Sequence, residues 1–389
     1  MFSDRTNWKL TRNRLTEALE EVRASGARVL DLTLSNPTRA GLVYDKPRIL
    51  QSLASPQAMD YDPQPKGLPS AREAVAAYYR TAHGIQDFDP ERLILTTSTS
   101  EGYSFVFRLL CNPGDELLVP KPSYPLFEFL ADLQDVRLVP YPLIYDHGWQ
   151  MDFPSLEKVV TKRTRGVVVV HPNNPTGSYV HAHEQESLNS FCHEHGLAII
   201  ADEVFLDYAH SGPPLRSFGE NQDVLTFTLS GVSKISALPQ MKVAWLATSG
   251  PSAEVESAQA RLEVISDTYL SMNAPIQWAL PALLGQRASI QQQLLNRVRD
   301  NLAKLDRQLA GQQACQRLSV EAGWYAILRV PVTQTDEELA VDLLRRKSVL
   351  VHPGHFYDFP SDGYLVLSLI AQPAEFAEAV QRLLAMAHL

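Results

Sequence analysis

Several residue types that can do chemistry stand in this chain where strands would end. Lys234 lies in Ser-Gly-Val-Ser-Lys (230–234), just past the β-rich run Val-Leu-Thr-Phe-Thr-Leu (224–229) and ahead of a second one, Val-Ala-Trp-Leu-Ala (243–247). A lysine on a small-residue turn after a strand is drawn out of water, and desolvation moves it toward the neutral amine that attacks carbonyls. Asp202, in Ala-Asp-Glu-Val (201–204), closes the apolar run Leu-Ala-Ile-Ile (197–200). Asn174 lies in His-Pro-Asn-Asn-Pro-Thr-Gly (171–177), and Tyr124 in Lys-Pro-Ser-Tyr-Pro (121–125). Ser98, Thr99 and Ser100 open a helix after Leu-Ile-Leu (93–95). Each has a plainer reading: a solvated turn lysine, a helix cap, turn chemistry, packing beside prolines.

Taken together they suit one group. A helix N-terminus with hydroxyls holds a phosphate. A flat tyrosine can stack on a heterocycle, an aspartate can keep a ring nitrogen protonated, and a lysine can form an imine. These are the needs of pyridoxal phosphate, which acts as an electron sink when its pyridinium has a carboxylate partner.

The elements that must position these residues alternate. From about residue 93 to 202, strand-like runs alternate with helical ones, which predicts a mostly parallel sheet covered on both faces, an α/β fold. The runs 167–170 and 197–200 are continuous and β-rich, as strands buried on both faces should be. Polar residues gather at the C-terminal strand ends, where open α/β sheets bind ligands. No Gly-x-Gly-x-x-Gly or Gly-x-x-x-x-Gly-Lys-Ser/Thr loop occurs, so neither dinucleotide nor P-loop chemistry is indicated. The spacing predicts a first helix over 11–24 with Thr11 as its cap, a strand over 29–34, and helical sequence over 274–309. The expected division is an N-terminal segment, 1–45, joining a smaller α+β domain at 271–389, with a large domain at 46–270.

The order and spacing resemble the class I/II aminotransferases, fold-type I pyridoxal-phosphate enzymes, over nearly the whole chain. Asn-Asn-Pro-Thr-Gly (173–177), Ala-Asp-Glu-Val (201–204) and Ser-x-x-Ser-Lys (230–234) carry the resemblance. It implies Lys234 as the Schiff-base lysine and proton shuttle, with spacing from Asp202 that fits Lys234 better than Lys242. It implies Asp202 on the pyridinium nitrogen, Asn174 on the ring's phenolic oxygen, Tyr124 stacked on the ring, and Ser98, Thr99 and Ser100 on the phosphate. Tyr61 would reach the phosphate from a neighbouring subunit, which implies a homodimer with shared sites. The substrates implied are an amino acid and a 2-oxo acid, with Asn36, Arg39 and Asn174 facing them.

Four departures from the family pattern stand beside these matches. Phe205 replaces the usual tyrosine, so a hydrogen bond to the phenolic oxygen is lost. Gly231 replaces a phosphate-binding serine, which leaves Ser230 or Ser233 as substitutes. Lys242 replaces the phosphate arginine and keeps the charge without the bidentate fork. The gravest departure is Val366 in Val-Leu-Ser (366–368), where the family has Arg-Leu-Ser and the arginine clamps the substrate carboxylate. Arg39 is the candidate replacement. The same loss opens an alternative, a β-eliminating lyase on the same scaffold. A degenerate sensor is disfavoured because lysine, aspartate and asparagine all survive.

Composition narrows the rest. A net charge of −9 argues against nucleic acid as the main partner. The N-terminus has no apolar leader, and no run is long enough to span a bilayer. Three scattered cysteines, Cys111, Cys192 and Cys315, cannot make a disulfide framework, which points to a reduced, cytoplasmic protein. His181, His183, Cys192, His193 and His195 lack a second ligand pair with zinc spacing, so no metal is expected.

Overall fold

The computed structural model describes residues 1–8, 10–125, 127–270 and 272–387. Its centre is an eight-stranded sheet in the order Leu93–Thr96, Ala244–Ser249, Thr226–Gly231, Ala198–Asp202, Thr164–Val170, Glu116–Lys121, Arg137–Tyr145 and Trp149–Met151. The five strands from Thr226–Gly231 to Arg137–Tyr145 run parallel; Ala244–Ser249 is antiparallel to both its neighbours, and Trp149–Met151 closes the far edge as a hairpin. Val167, Val168, Val169, Ile199, Ile200 and Ala201 are all buried, because helices cover both faces. The C-terminal ends of neighbouring strands therefore share one rim, and Asp202 and Leu229 are register partners there.

A second, four-stranded antiparallel sheet has the order Gln316–Arg317, Tyr325–Arg329, Tyr364–Ser368 and His352–Pro353. The N-terminal segment lies against this region. Leu30–Asp31 pairs in parallel with Val349–Leu350, and helix Arg14–Ala24 packs on helix Asp336–Lys347. The chain then crosses the end of the last strand: Ser368 donates its amide to Leu32 O at 2.7 Å and its hydroxyl to Leu34 O at 2.5 Å.

Several boundaries differ from the sequence reading. The first helix begins at Arg14, not Thr11, because Asn13 Oδ1 accepts from the Thr16 amide at 2.7 Å and asparagine is the stronger cap. The strand expected over 29–34 shortens to two residues, since beyond Asp31 the chain bonds the end of another strand instead. Helical sequence over 274–309 is two helices, Ala274–Gly285 and Arg287–Leu309. The Lys234 turn is a one-turn helix, Val232–Ile235. Helix Ser252–Thr268 escapes the hydrophobic pattern because two of its inward residues, Gln259 and Ser266, are polar.

Candidate active site

Lys234 follows the strand end at Gly231. A β-carbon on Gly231 would come within 2.8 Å of Ala244 Cβ and 3.0 Å of Val243 O, so a serine there would force the antiparallel neighbour to move. That crowding is a physical reason for one departure from the family pattern. Lys234 Nζ lies 4.9 Å from the Trp324 ring centroid and 5.4 Å from that of Phe205. At such distances the rings attract the ammonium form. Burial nevertheless lowers the amine to about 8, with Asp202 acting in the opposite sense. An amine near 8 is poised to exchange protons near neutral pH.

Asp202 sits on the neighbouring strand end and holds two neutral donors. The Tyr103 hydroxyl donates to Oδ2 at 3.1 Å, and the Val204 amide donates to Oδ1 at 3.1 Å. Burial pushes the carboxyl up to about 6 despite those donors and Lys234. The adjacent Glu203 points into structure instead: it accepts from Ser217 Oγ and the Phe218 amide, each at 2.6 Å, and burial raises it to about 7. The pair thus divides, and only Asp202 shares its field with Lys234.

The two asparagines divide in the same way. Asn173 does the turn chemistry, accepting from the Thr176 hydroxyl at 3.1 Å and donating its amide to Ser178 O at 2.8 Å. Asn174 Oδ1 is buried with no protein partner among the described residues. A buried amide oxygen left open is costly unless a ligand completes it.

Helix Thr99–Leu110 opens at the same rim. Ser98 is its cap, its hydroxyl accepting from the Glu101 amide at 3.2 Å. The Thr99 and Ser100 amides, in the first turn, have no intrahelical acceptor by construction. Thr97 is tied off separately, its amide donating to Glu101 Oε2 at 2.6 Å. A β-carbon on Gly102 would meet Leu229 Cδ2 at 2.5 Å, so this glycine lets the helix sit close on the central strand.

Tyr124 is 42% exposed and near enough to Asp202 for that carboxylate, after burial, to raise its phenol. Its loop is held from the smaller sheet: the Ser123 amide donates to Tyr357 O at 3.0 Å, and Lys121 pairs with Asp358 at 2.9 Å. Ser233 is half-buried, whereas Ser230 is buried and donates to Glu203 O at 3.4 Å. Lys242 is exposed, with a left-handed φ of 52°. Tyr61 is 81% exposed, in a groove of about 290 Å³ with Asp60, Asp62 and Trp278. A groove of about 720 Å³, lined by Leu197, Ala198 and Leu225 among others, opens at the opposite, N-terminal rim of the sheet.

Val366 is fully buried, between Ile327 and His352 on the neighbouring strands. The loop with Asn36 and Arg39 lies just past the end of that strand. It is anchored before by the Ser368–Leu34 bond and after by Ala40 O, which accepts from Arg297 at 3.0 Å and Gln372 at 3.1 Å. Asn36 caps the short turn Pro37–Arg39, accepting from the Thr38 amide at 3.0 Å and hydroxyl at 2.7 Å, and Arg39 is exposed.

Three contributors lie outside the sequence reading: Tyr103, Trp324 and Tyr208, whose hydroxyl donates to Lys234 O at 2.5 Å. Tyr103 alone carried a signal, since it lies one helical turn after Thr99 on the same face. The histidines have separate partners, His195 with Glu157 at 3.2 Å and His181 with Glu321 at 3.0 Å. Among the described residues, no three His, Cys, Asp or Glu side chains cluster as a metal site, and no helix is long and apolar enough to cross a membrane.

Comparison with known proteins gives one consistent answer. A family model described as aminotransferase class I and II matches residues 46–383. The chain is 28% identical to an alanine aminotransferase of Mycobacterium tuberculosis over 370 residues, covering 92% of this chain and 86% of that one. It is also 28% identical to a glutamate-pyruvate aminotransferase of Escherichia coli over 365 residues, covering 88% and 87%. An alanine aminotransferase from Pyrococcus furiosus superposes over both whole chains with a TM-score of 0.91 at 22% identity, a likeness of fold.

Proposed function

We propose, from the premise that the chain belongs to the class I and II aminotransferase family, that this aminotransferase works with pyridoxal phosphate bound at Lys234. The observation that carries the reading is that Lys234, in the turn past the strand end at Gly231, and Asp202, at the end of the neighbouring strand, act on each other electrostatically. Asp202 accepts hydrogen bonds only from neutral donors and, among the described residues, makes no ion pair, so a protonated ring nitrogen would give its charge a direct partner. Asn174 Oδ1, buried and open, suits the same ligand. Bound there, the cofactor supplies a carbonyl for imine formation and a ring that accepts electrons from the substrate's Cα.

In this reading the chain's own residues have distinct tasks. Lys234 would hold the cofactor and, as a neutral amine, would take and return the proton at the substrate's Cα. Asp202 holds the ring nitrogen's proton, and Tyr103 and the Val204 amide hold Asp202. Tyr124 and Asn174 orient the ring. Ser98, Thr99 and Ser100, with Ser233 and Lys242, receive the phosphate; Ser230 is the weaker candidate, its hydroxyl being engaged with Glu203 O. Phe205 lines the site without a hydroxyl. The division of the chain at about residues 45 and 270 belongs to the same proposal. So does a cytoplasmic homodimer in which Tyr61 serves the partner's site; the exposure of Tyr61 and three free cysteines support it.

Alanine or glutamate as amino donor and a pyruvate-like 2-oxo acid as acceptor is the pairing suggested by the relatives' names. With Val366 in the core, Arg39 takes the substrate carboxylate. Replacing Arg39 by alanine should raise KM for a carboxylate substrate about tenfold or more while kcat changes less. An unchanged KM removes Arg39 from the site.

The deciding experiment is a single-turnover absorbance scan against a panel of amino acids, with ammonia assayed in parallel. Conversion of the cofactor band to the pyridoxamine form without ammonia is the expected result. Ammonia release with the original band restored would mean elimination instead. A protein that takes up no pyridoxal phosphate refutes the proposal.

A further inference from the structure

The one-turn helix Val232–Ile235 ends in carbonyls engaged by side chains from three other parts of the chain. The Tyr208 hydroxyl donates to Lys234 O at 2.5 Å, Gln291 Nε2 to Ile235 O at 2.9 Å, and the Tyr44 hydroxyl to Ala237 O at 2.9 Å. A helix leaves its last four carbonyls without intrahelical partners, and one this short has none to spare. These outside donors, together with the Val232 amide bonded to Val243 O and the Ser236 hydroxyl bonded to Leu283 O, fix where the turn sits.

Gln291 is itself oriented from behind. Its Nε2 also donates to Asp207 Oδ2 at 2.5 Å. Asp207 Oδ1 accepts from the Tyr78 hydroxyl at 2.9 Å and lies 2.9 Å from His83 Nε2. The His83 and Asp207 side chains are only 3% and 7% exposed, so this polar contact is shielded from water and its geometry is stiff. Both amide hydrogens of Gln291 thus have fixed acceptors.

The helix that carries Gln291, Arg287–Leu309, is also the anchor of the Asn36–Arg39 loop past the strand end at Ser368. Further along it, Arg297 donates to Ala40 O at 3.0 Å and Ile370 O at 3.1 Å, and Asn301 donates to Leu369 O at 2.8 Å. One continuous helix therefore grips the lysine turn at its start and the Asn36–Arg39 loop, with the chain beyond Ser368, two to three turns later.

We propose that Gln291 is a positioning residue, which registers the Lys234 amine to helix Arg287–Leu309 and through it to the substrate-side loop. The proposal rests on Lys234 being the reacting amine. Gln291→Met keeps length and approximate volume and removes both donors. In the holoenzyme it should lower kcat about 10- to 100-fold, the scale of an ångström-sized misplacement, with KM for the amino donor within about twofold. In the apoprotein, the pH midpoint for carbamylation of Lys234 by cyanate, read by peptide mapping, should rise toward that of an ordinary lysine as the loosened amine meets water. Wild-type kcat together with a wild-type midpoint overturns the proposal. If Gln291→Met does not fold, Gln291→Asn decides: its amide, one methylene shorter, cannot reach both Asp207 and Ile235 O, and it must show the same loss of kcat without a matching rise in KM. An unchanged kcat there overturns the proposal too. Borohydride reduction of wild-type holoenzyme separates the premise from the inference. A label on another lysine sinks the Lys234 reading itself, whereas a label on Lys234 with unaltered Gln291→Met kinetics sinks the positioning role alone.

Discussion

Replacing Lys234 by alanine is expected to lower kcat by about 10⁴-fold or more, because in the proposed reading it removes the covalent anchor and the proton carrier together. Borohydride should then fix no cofactor to the protein. The informative comparison is Lys234→Arg. Arginine keeps a cation beside the Trp324 and Phe205 rings, now 4.9 and 5.4 Å from Nζ, so electrostatic order in the site is retained. It cannot give up its proton near neutral pH, however, and so serves neither as nucleophile nor as base. The two variants should therefore be equally inactive. Substantial turnover by Lys234→Arg would assign the proton transfer elsewhere. In the protein without cofactor, where Lys234 is a free amine lowered to about 8 by burial, its modification by cyanate across pH should show a midpoint near that value.

What could be read from the sequence, and what could not, follows from how each residue earns its place. Lys234 and Asn174 stand out by the motifs around them, Ser-x-x-Ser-Lys and Asn-Asn-Pro-Thr-Gly. Asp202 stands out because a strand buried on both faces is an unbroken apolar run, and the first polar residue past it has few structural reasons to be there. The central sheet was legible for the same reason. The support behind the site was not. Tyr103 reaches Asp202 across 99 residues, its only signal being its place one turn after Thr99, and Trp324 meets Lys234 from just before a strand of the other sheet, which no local pattern encodes. The run Gln291, Gln292, Gln293 makes the point within three residues. Gln291 bonds Asp207 and Ile235 O, Gln292 bonds Asn296 on the same exposed face, and Gln293 bonds Val43 O. Residue type is identical, and only the direction each side chain leaves the helix separates a positioning role from a surface one. Val366 was legible only as a departure from a pattern; its burial between Ile327 and His352 gives the departure a physical setting.

Replacing Asp202 by asparagine should impair activity and stabilise the empty protein, and the opposition of those two effects is the test. The carboxyl is raised by burial from 3.8 to about 6. A carboxyl whose folded pKa exceeds its unfolded one binds its proton more tightly in the fold, so its ionisation opposes folding. That penalty is absent below about pH 4, grows through the interval, and is complete above about pH 6. A shift of about two units corresponds to at most about 3 kcal/mol. Asparagine cannot ionise, and its Oδ1 can still accept from the Val204 amide, so apo Asp202→Asn should unfold at higher denaturant than wild type at pH 8 and at nearly the same denaturant at pH 4. Saturating pyridoxal phosphate should invert the order at pH 8, because a protonated ring nitrogen stabilises the aspartate and gains little from an amide. Turnover should fall by about 10²–10³-fold, the usual loss when a charge aimed at the developing transition state is removed. A structural cap at position 202 would behave differently: its loss would weaken the apoprotein at both pH values and leave the response to cofactor unchanged. Denaturant midpoints of the two proteins, with and without cofactor at pH 4 and pH 8, distinguish a residue held under strain for a missing cation from one that merely ends a strand.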